Sequence, residues 1–132
     1  MQSHYVLLGR NNFRFINWDK SHARSHRAGS VRYYPTGYIV IKKPGYYFVY
    51  NQMFYAESKT HEMTHFTFIN NHKVLESVAS FVNASNKYNT KFQAGVFRLT
   101  NGDSISVSGV SKKKYRMKPE TTFFGAFLLF PN

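Results

Sequence analysis

One stretch of the chain has the residue types and the spacing of a zinc hydrolase site. His61, Glu62 and His65 form the pattern H-E-x-x-H. On a helix, this spacing brings two imidazoles to one face, where they share a zinc ion while the glutamate polarises its bound water. Whether the pattern can do this chemistry therefore depends on the element that carries it.

The residues that follow the pattern predict a strand rather than a helix. The range 66–69 reads Phe-Thr-Phe-Ile and has the period of two that is typical of strands. In an extended strand, residues 61 and 65 lie about 13 Å apart, which is too far for both to bind one zinc ion. We therefore predict no metal site, with His61 in a loop and His65 as a hydrogen-bonded structural histidine.

The rest of the sequence predicts neither a catalytic site nor a bound cofactor. It contains no nucleophile elbow, no P-loop and no dinucleotide-binding motif, and its 6 acidic residues are scattered singly. The absence of cysteine excludes a disulfide framework, a thiolate zinc site and a cysteine nucleophile. An enzyme is the function class with the least support.

The length of 132 residues suits one domain, residues 1–132. Short runs of β-branched and aromatic residues between turn signals predict an all-β sandwich or jelly roll. Residues 10–35 lack this pattern, so we predict a long basic loop there with a short strand at 13–16. The other predicted strands span 38–41, 46–55, 66–69, 74–82, 92–99, 105–108 and 121–130, with turns at 70–72 and 100–103.

The chain is strongly basic, with 18 Lys and Arg residues against 6 Asp and Glu, a formal net charge of +12. This charge favours an anionic partner such as nucleic acid, heparan sulfate, anionic lipid or an acidic protein. Most aromatic residues lie in strand patterns that need burial, which argues against nucleic acid. The cations concentrate in two clusters: Arg10, Arg14, Lys20, Arg24, Arg27 and Arg32, and Lys112, Lys113, Lys114, Arg116 and Lys118.

Four segments, taken together and in order, resemble the tumour necrosis factor (TNF) ligand superfamily. Within it, they look most like ectodysplasin and TRAIL, and an insect member of the family fits the same motifs. The resemblance implies a jelly roll that forms a homotrimer, is shed from a type II membrane precursor and binds cysteine-rich TNF receptors extracellularly. It implies no enzymatic activity. The segments are Ser3-His4-Tyr5-Val6, Gly45–Gln52, Ala94–Leu99 with Gly102-Asp103, and Thr121–Leu129.

Strand parity gives a reason, independent of the resemblance, to expect self-association. The ranges 46–55 and 121–130 are apolar on both faces, so one face can fill the sandwich while the other needs a cover. A loop of a monomer could supply that cover. Parity places Phe130 with Phe124 on the opposite face from Phe127. Matching to the superfamily puts these residues on the threefold axis: Phe48, Tyr50, Phe92, Phe123, Gly125, Phe127 and Leu129.

The superfamily's layout also implies which residues face a receptor. Two of the implied loops coincide with the basic clusters, which would make an electropositive groove. Many members carry a tyrosine in the turn at 70–72, where this chain has Asn71 and His72. The expected receptor-facing residues are Arg24, His26, Arg27, Asn71, His72, Lys112, Lys113, Lys114, Tyr115 and Arg116.

Two further expectations concern glycans and alternative functions. Asn83-Ala84-Ser85 is an N-glycosylation sequon, which fits a surface loop of a secreted protein. The alternatives to a cytokine are a basic trimeric module of the complement-type globular-head class and a heparan sulfate-binding protein. Heparan sulfate binding is also compatible with the cytokine interpretation.

Overall fold

The structure, a computed structural model, is a sandwich of two five-stranded sheets. It describes residues 4–9, 18–19, 31–33, 38–55, 62–80, 89–109 and 120–131. The strands are β1 (His4–Gly9), β2 (Trp18–Asp19), β3 (Val31–Tyr33), β4 (Ile39–Ile41), β5 (Gly45–Tyr55), β6 (Glu62–Ile69), β7 (His72–Ser80), β8 (Asn89–Leu99), β9 (Ser104–Gly109) and β10 (Phe123–Pro131).

The order of the strands confirms the predicted jelly-roll sandwich. One sheet runs β2-β1-β10-β5-β8 and the other β3-β4-β9-β6-β7, with antiparallel neighbours throughout. We call them the first and the second sheet. The strands β2 and β3 lie inside residues 10–35, where a loop with one strand at 13–16 was predicted, and 13–16 itself lies outside the described residues. None of the described segments forms a helix able to cross a membrane.

The core lies between the two sheets and is built by alternation along each strand. In β5 every second residue, from Gly45 to Tyr55, is buried and the residues between them are partly exposed. Because side chains of a strand alternate between its faces, one face of β5 points into the sandwich. The buried apolar residues are Ile39, Ile41, Tyr47, Val49, Met53, Tyr55, Leu99, Ile105, Val107, Phe124 and Ala126.

Two tight turns at one end of the sandwich confirm the turns predicted from the sequence. Asn70 and Asn71 connect β6 to β7 as a two-residue loop with φ of 51° and 67°. Asparagine tolerates this left-handed backbone, which two-residue hairpin turns of this kind require. The turn between β8 and β9 contains Gly102 with φ of 97°, which favours glycine.

The end of β10 corrects one prediction from strand parity. The register against β5 shifts between Leu128 and Phe130, so a β-bulge inserts Leu129 as an extra residue. Phe130 therefore lies opposite Tyr46, with ring centroids 5.1 Å apart, and is 55% exposed. The prediction that Phe130 shares the face of Phe124 is wrong because the bulge resets the alternation.

Candidate functional site

The outward face of the first sheet carries a band of apolar residues on three adjacent strands. Residues directly opposite each other on neighbouring strands point to the same face. The pairings of β8, β5 and β10 therefore make three rows across the sheet: Val96–Phe48–Phe127, Ala94–Tyr50–Gly125 and Phe92–Gln52–Phe123. We call these rows the assembly face.

Tyr50 stands at the centre of the aromatic part of the assembly face. Its ring centroid lies 5.7 Å from Phe48, 6.4 Å from Phe92 and 6.3 Å from Phe123, within the range of attractive aromatic pairs. Burial raises the pKa of Tyr50 to about 12. The hydroxyl thus stays protonated, and the band carries no charge at its centre.

The assembly face is incompletely covered in the single chain. Phe92 is 53% exposed and Val96 is 55% exposed, and Leu129 and Phe130 are exposed where β10 ends. A contiguous apolar patch of this kind on a folded chain marks an interaction surface. The face therefore has the chemistry of a surface that packs against another protein surface.

The residues predicted for the threefold axis come together on this face, with one exception. Phe48, Tyr50, Phe92, Phe123, Gly125 and Phe127 belong to its three rows, whereas Leu129 lies in the bulge beside them. Sequence reasoning missed Gln52 on β5, and it missed Ala94 and Val96 on β8. The parity of the latter two with Phe92 in a strand is the signal that could have identified them.

The turn between β6 and β7 presents the two receptor-facing candidates that the structure describes. Asn71 and His72 are both exposed. Next to them, the Asn70 amide donates to Asp103 Oδ1 at 2.8 Å and its Oδ1 accepts from the Ser104 backbone N–H at 2.9 Å. A backbone bond from Asn70 N to Ser104 O, at 2.9 Å, completes this clamp. The clamp holds the hairpin tip against the β8–β9 turn.

Several predicted site residues lie outside the described residues, so their roles stay predictions. They are Arg24, His26, Arg27, Asn83, Lys112, Lys113, Lys114, Tyr115 and Arg116.

The histidine of the H-E-x-x-H pattern is a buried structural residue, as predicted. Glu62 and His65 lie on β6, so this part of the pattern is on a strand and not on a helix. His61 lies outside the described residues, and its place in a loop stays a prediction. Asn51 Oδ1 can only accept, so His65 Nε2 donates to it at 2.8 Å, and Nδ1 accepts from the Tyr55 hydroxyl at 2.6 Å. Burial lowers the pKa of His65 to about 4. Both ring nitrogens are hydrogen-bonded inside the sandwich, so the neutral imidazole has a structural role in the core.

A polar network extends from His65 and connects the two sheets. Asn51 Nδ2 donates to Thr67 Oγ1 at 2.6 Å, and the Thr67 hydroxyl donates to Gln93 Oε1. Gln93 Nε2 donates to Ser77 Oγ at 2.8 Å. Asn51 and Gln93 belong to the first sheet, whereas His65, Thr67 and Ser77 belong to the second. The network therefore fixes the first sheet from behind its assembly face.

Comparison with known proteins identifies the family of this sandwich. The model of the TNF (Tumour Necrosis Factor) family matches residues 16–129, most of the chain. The chain belongs to the TNF family. This match favours the TNF interpretation over a complement-type globular head. Members of the TNF family are cytokines rather than enzymes, and the domain is typically an extracellular one.

Solved structures show the same TNF fold. The structure of Eiger TNF from S. frugiperda superposes with a TM-score of 0.77 at 20% sequence identity, covering 99% of this chain and 94% of that one. It agrees with the insect resemblance noted in the sequence, and at this identity it shows the fold. In all, 249 chains of solved structures match this TNF-family domain. No curated protein sequence matches it.

Proposed function

We propose that the chain is an extracellular TNF-family cytokine that acts as a homotrimer. Three copies would pack through the assembly face, and the grooves between neighbouring copies would bind cysteine-rich receptors of the TNF-receptor family. Clustering of the bound receptors would start signalling inside the target cell, with apoptosis among the outcomes.

The exposed assembly face is the observation that supports this proposal most directly. Transfer of apolar surface out of water drives association, and this face offers aromatic and aliphatic side chains on three adjacent strands. Closed rings of identical subunits are the usual solution for such a surface. The family assignment favours a ring of three.

The mass in solution tests the trimer. Light scattering behind a sizing column should give one species at three times the 15.4 kDa chain, about 46 kDa, at low and at high salt. Val96→Lys places a charge in the assembly face, at a position that the single chain leaves exposed, and should give folded monomer. Ser108→Lys, which adds the same charge to an exposed position on the second sheet, should stay trimeric. A folded 15.4 kDa wild-type monomer would refute the trimer.

The receptor would be held by loops of both copies that line each groove. The exposed tip at Asn71 and His72 is the described part of this surface. Arg24, His26 and Arg27 would contribute from one basic cluster, and residues 112–116 from the other. Such a groove would attract an acidic receptor over long range, with an association rate that falls as salt screens the charges.

Binding to an isolated receptor ectodomain tests this surface. Tyr115→Ala, the charge reversals Lys113→Glu and Arg116→Glu, and His72→Glu should each raise Kd by about tenfold or more, since interface hot spots have effects of this size. Ser108→Ala, on the second sheet, should leave Kd unchanged. If the four variants bind as the wild type does, the receptor contacts lie elsewhere.

We also infer how the domain is produced and modified. The family assignment supports a domain shed from a type II membrane precursor. The sequon Asn83-Ala84-Ser85 supports glycosylation at Asn83. Protein secreted from insect or mammalian cells should lose mass on treatment with an N-glycosidase, and Asn83→Gln should abolish that shift. A wild-type mass that the enzyme leaves unchanged would exclude the modification.

A further inference from the structure

Three turns at one end of the sandwich are tied into one hydrogen-bonded unit. The Ile41 backbone N–H donates to Asp103 O at 2.9 Å, and the Gly102 N–H returns to Ile41 O at 2.8 Å. The Tyr47 hydroxyl donates to Lys43 O at 2.7 Å, which holds the β4–β5 turn. The Asn70 clamp adds the β6–β7 turn. We call these turns, residues 41–44, 70–71 and 100–104, the turn platform.

Two cations on the turn platform and one on the adjacent end of β8 have no acidic partner among the described residues. Lys42 and Lys43 are exposed on the β4–β5 turn. Arg98 is exposed on β8, directly opposite Tyr46, and Tyr46 follows Lys43 by three positions. Within the part of the chain that the structure describes, the one ion pair is between two other residues, Lys73 and Glu76.

The carboxylates of Asp103 and Glu76 are bound to groups other than these three cations. Asp103 Oδ1 accepts from the Asn70 amide and Asp103 Oδ2 accepts from the Thr100 backbone N–H, both at 2.8 Å. Glu76 Oε1 lies 2.8 Å from Lys73 Nζ. Neither carboxylate engages the three cations, so their positive charge is available to an anionic ligand.

We propose that Lys42, Lys43 and Arg98 form a binding site for a sulfated glycosaminoglycan. The turns are already held by hydrogen bonds, so binding orders little backbone. Lysine ammonium groups act as point charges that suit the sulfates of a flexible linear polymer. The exposed residues of the β4–β5 turn include no aromatic side chain on which a nucleic acid base could stack. The exposed ring of Phe130, across Tyr46 from Arg98, lies on the apolar face of the first sheet. The net charge of +12 adds long-range attraction to any polyanion.

This site is separate from the basic cluster at 112–114 that the sequence suggests for heparan sulfate. It is also separate from the receptor-facing residues of the proposed function. Arg98 lies in the row next to Val96 on the outward face of the first sheet, so the solution mass of a variant distinguishes an effect on assembly from an effect on glycan binding.

Retention on heparin tests the site with two variants of equal charge. One is Lys42→Gln/Lys43→Gln/Arg98→Gln, and the other is Lys112→Gln/Lys113→Gln/Lys114→Gln. We expect the first to elute at clearly lower salt than the second, with solution mass and far-ultraviolet circular dichroism equal to wild type. Its plot of log Kd for heparin against log salt should be shallower by about two to three, close to one for each lost ionic contact.

The remaining outcomes overturn the proposal. Equal shifts in the two variants would mean that net charge alone governs binding, and a larger shift in the second would place the glycan at 112–114. Tighter binding of a single-stranded oligonucleotide than of heparin would indicate a nucleic acid site. Equal binding of hyaluronan, which carries carboxylates and no sulfates, would remove the sulfate specificity.

If the triple variant misfolds, Lys42→Gln and Lys43→Gln singly should each lower the elution salt more than Lys73→Gln does.

Discussion

Acid should destabilise the sandwich through His65, by an amount that follows from its buried position. The pKa of about 4 in the folded chain, against 6.5 ordinarily, corresponds to about 3 kcal/mol. The unfolded chain has the higher pKa and takes up the proton first. The contribution of neutral, buried His65 to the free energy of unfolding is therefore fully present above pH 6.5 and is lost as the pH falls toward 4. Between pH 7 and pH 5 the loss is about 2 kcal/mol.

Denaturation by urea at one protein concentration, repeated from pH 7 to pH 5, measures this loss. His65→Gln lowers stability at pH 7 by disturbing the network, and it should flatten the pH dependence by about 2 kcal/mol over this range. His72→Gln removes an exposed histidine and should leave the dependence as in wild type. Parallel curves for wild type and His65→Gln would refute the reasoning. If His65→Gln does not fold, the wild-type His65 ring resonances should still show no titration near pH 6.5.

Two further predictions concern the turns and the bulge. Gly45→Ala should lower the free energy of unfolding by about 1–3 kcal/mol, since its Cβ would lie 2.5 Å from Leu128 Cδ1 and 2.7 Å from Phe130 O; an unchanged urea midpoint would contradict this. Asn70→Gly keeps the left-handed turn and the backbone bond but removes the side-chain bonds of the clamp, and should cost about 1 kcal/mol, whereas Asn71→Gly should change the midpoint little. Equal midpoints for the two glycine variants would show that the clamp contributes nothing.

The sandwich could be predicted from local sequence because its turns and strands carry local signals. The two asparagines between β6 and β7 identify the hairpin, and the alternation in β9 identifies a strand with one buried face. The bulge at Leu129 carried no such signal. Residues 126–130 are all apolar, so the inserted residue leaves no break in a polar–apolar pattern. Only the pairing of β10 with β5 shows where the alternation is reset.

The assembly face was predictable in part for the same reason. Aromatic residues at both odd and even positions of β5 indicated that one of its two faces needs a cover. The resemblance to the TNF superfamily indicated which of the two faces this is. Val96 has the parity of Phe92, but a single valine in β8 is a weak signal until its pairing with Phe48 is known. The grouping of cations beside the turn platform was not predictable, since Arg98 is far from Lys42 and Lys43 in sequence and only the pairing of β5 with β8 places it opposite Tyr46.

The polar network explains how a strand that is apolar on both faces keeps one register. A shift of one residue would turn Tyr50 into the core and Asn51 out of it, and the apolar pattern of β5 opposes that shift only weakly. Asn51 is the residue that makes the difference, because its amide binds Thr67 and His65 across the sandwich. A slipped strand would leave these buried groups unpaired, at a cost of about 1–3 kcal/mol each. Asn51, on the inward side of β5, thus keeps the aromatic residues of the assembly face on the outward side of the strand.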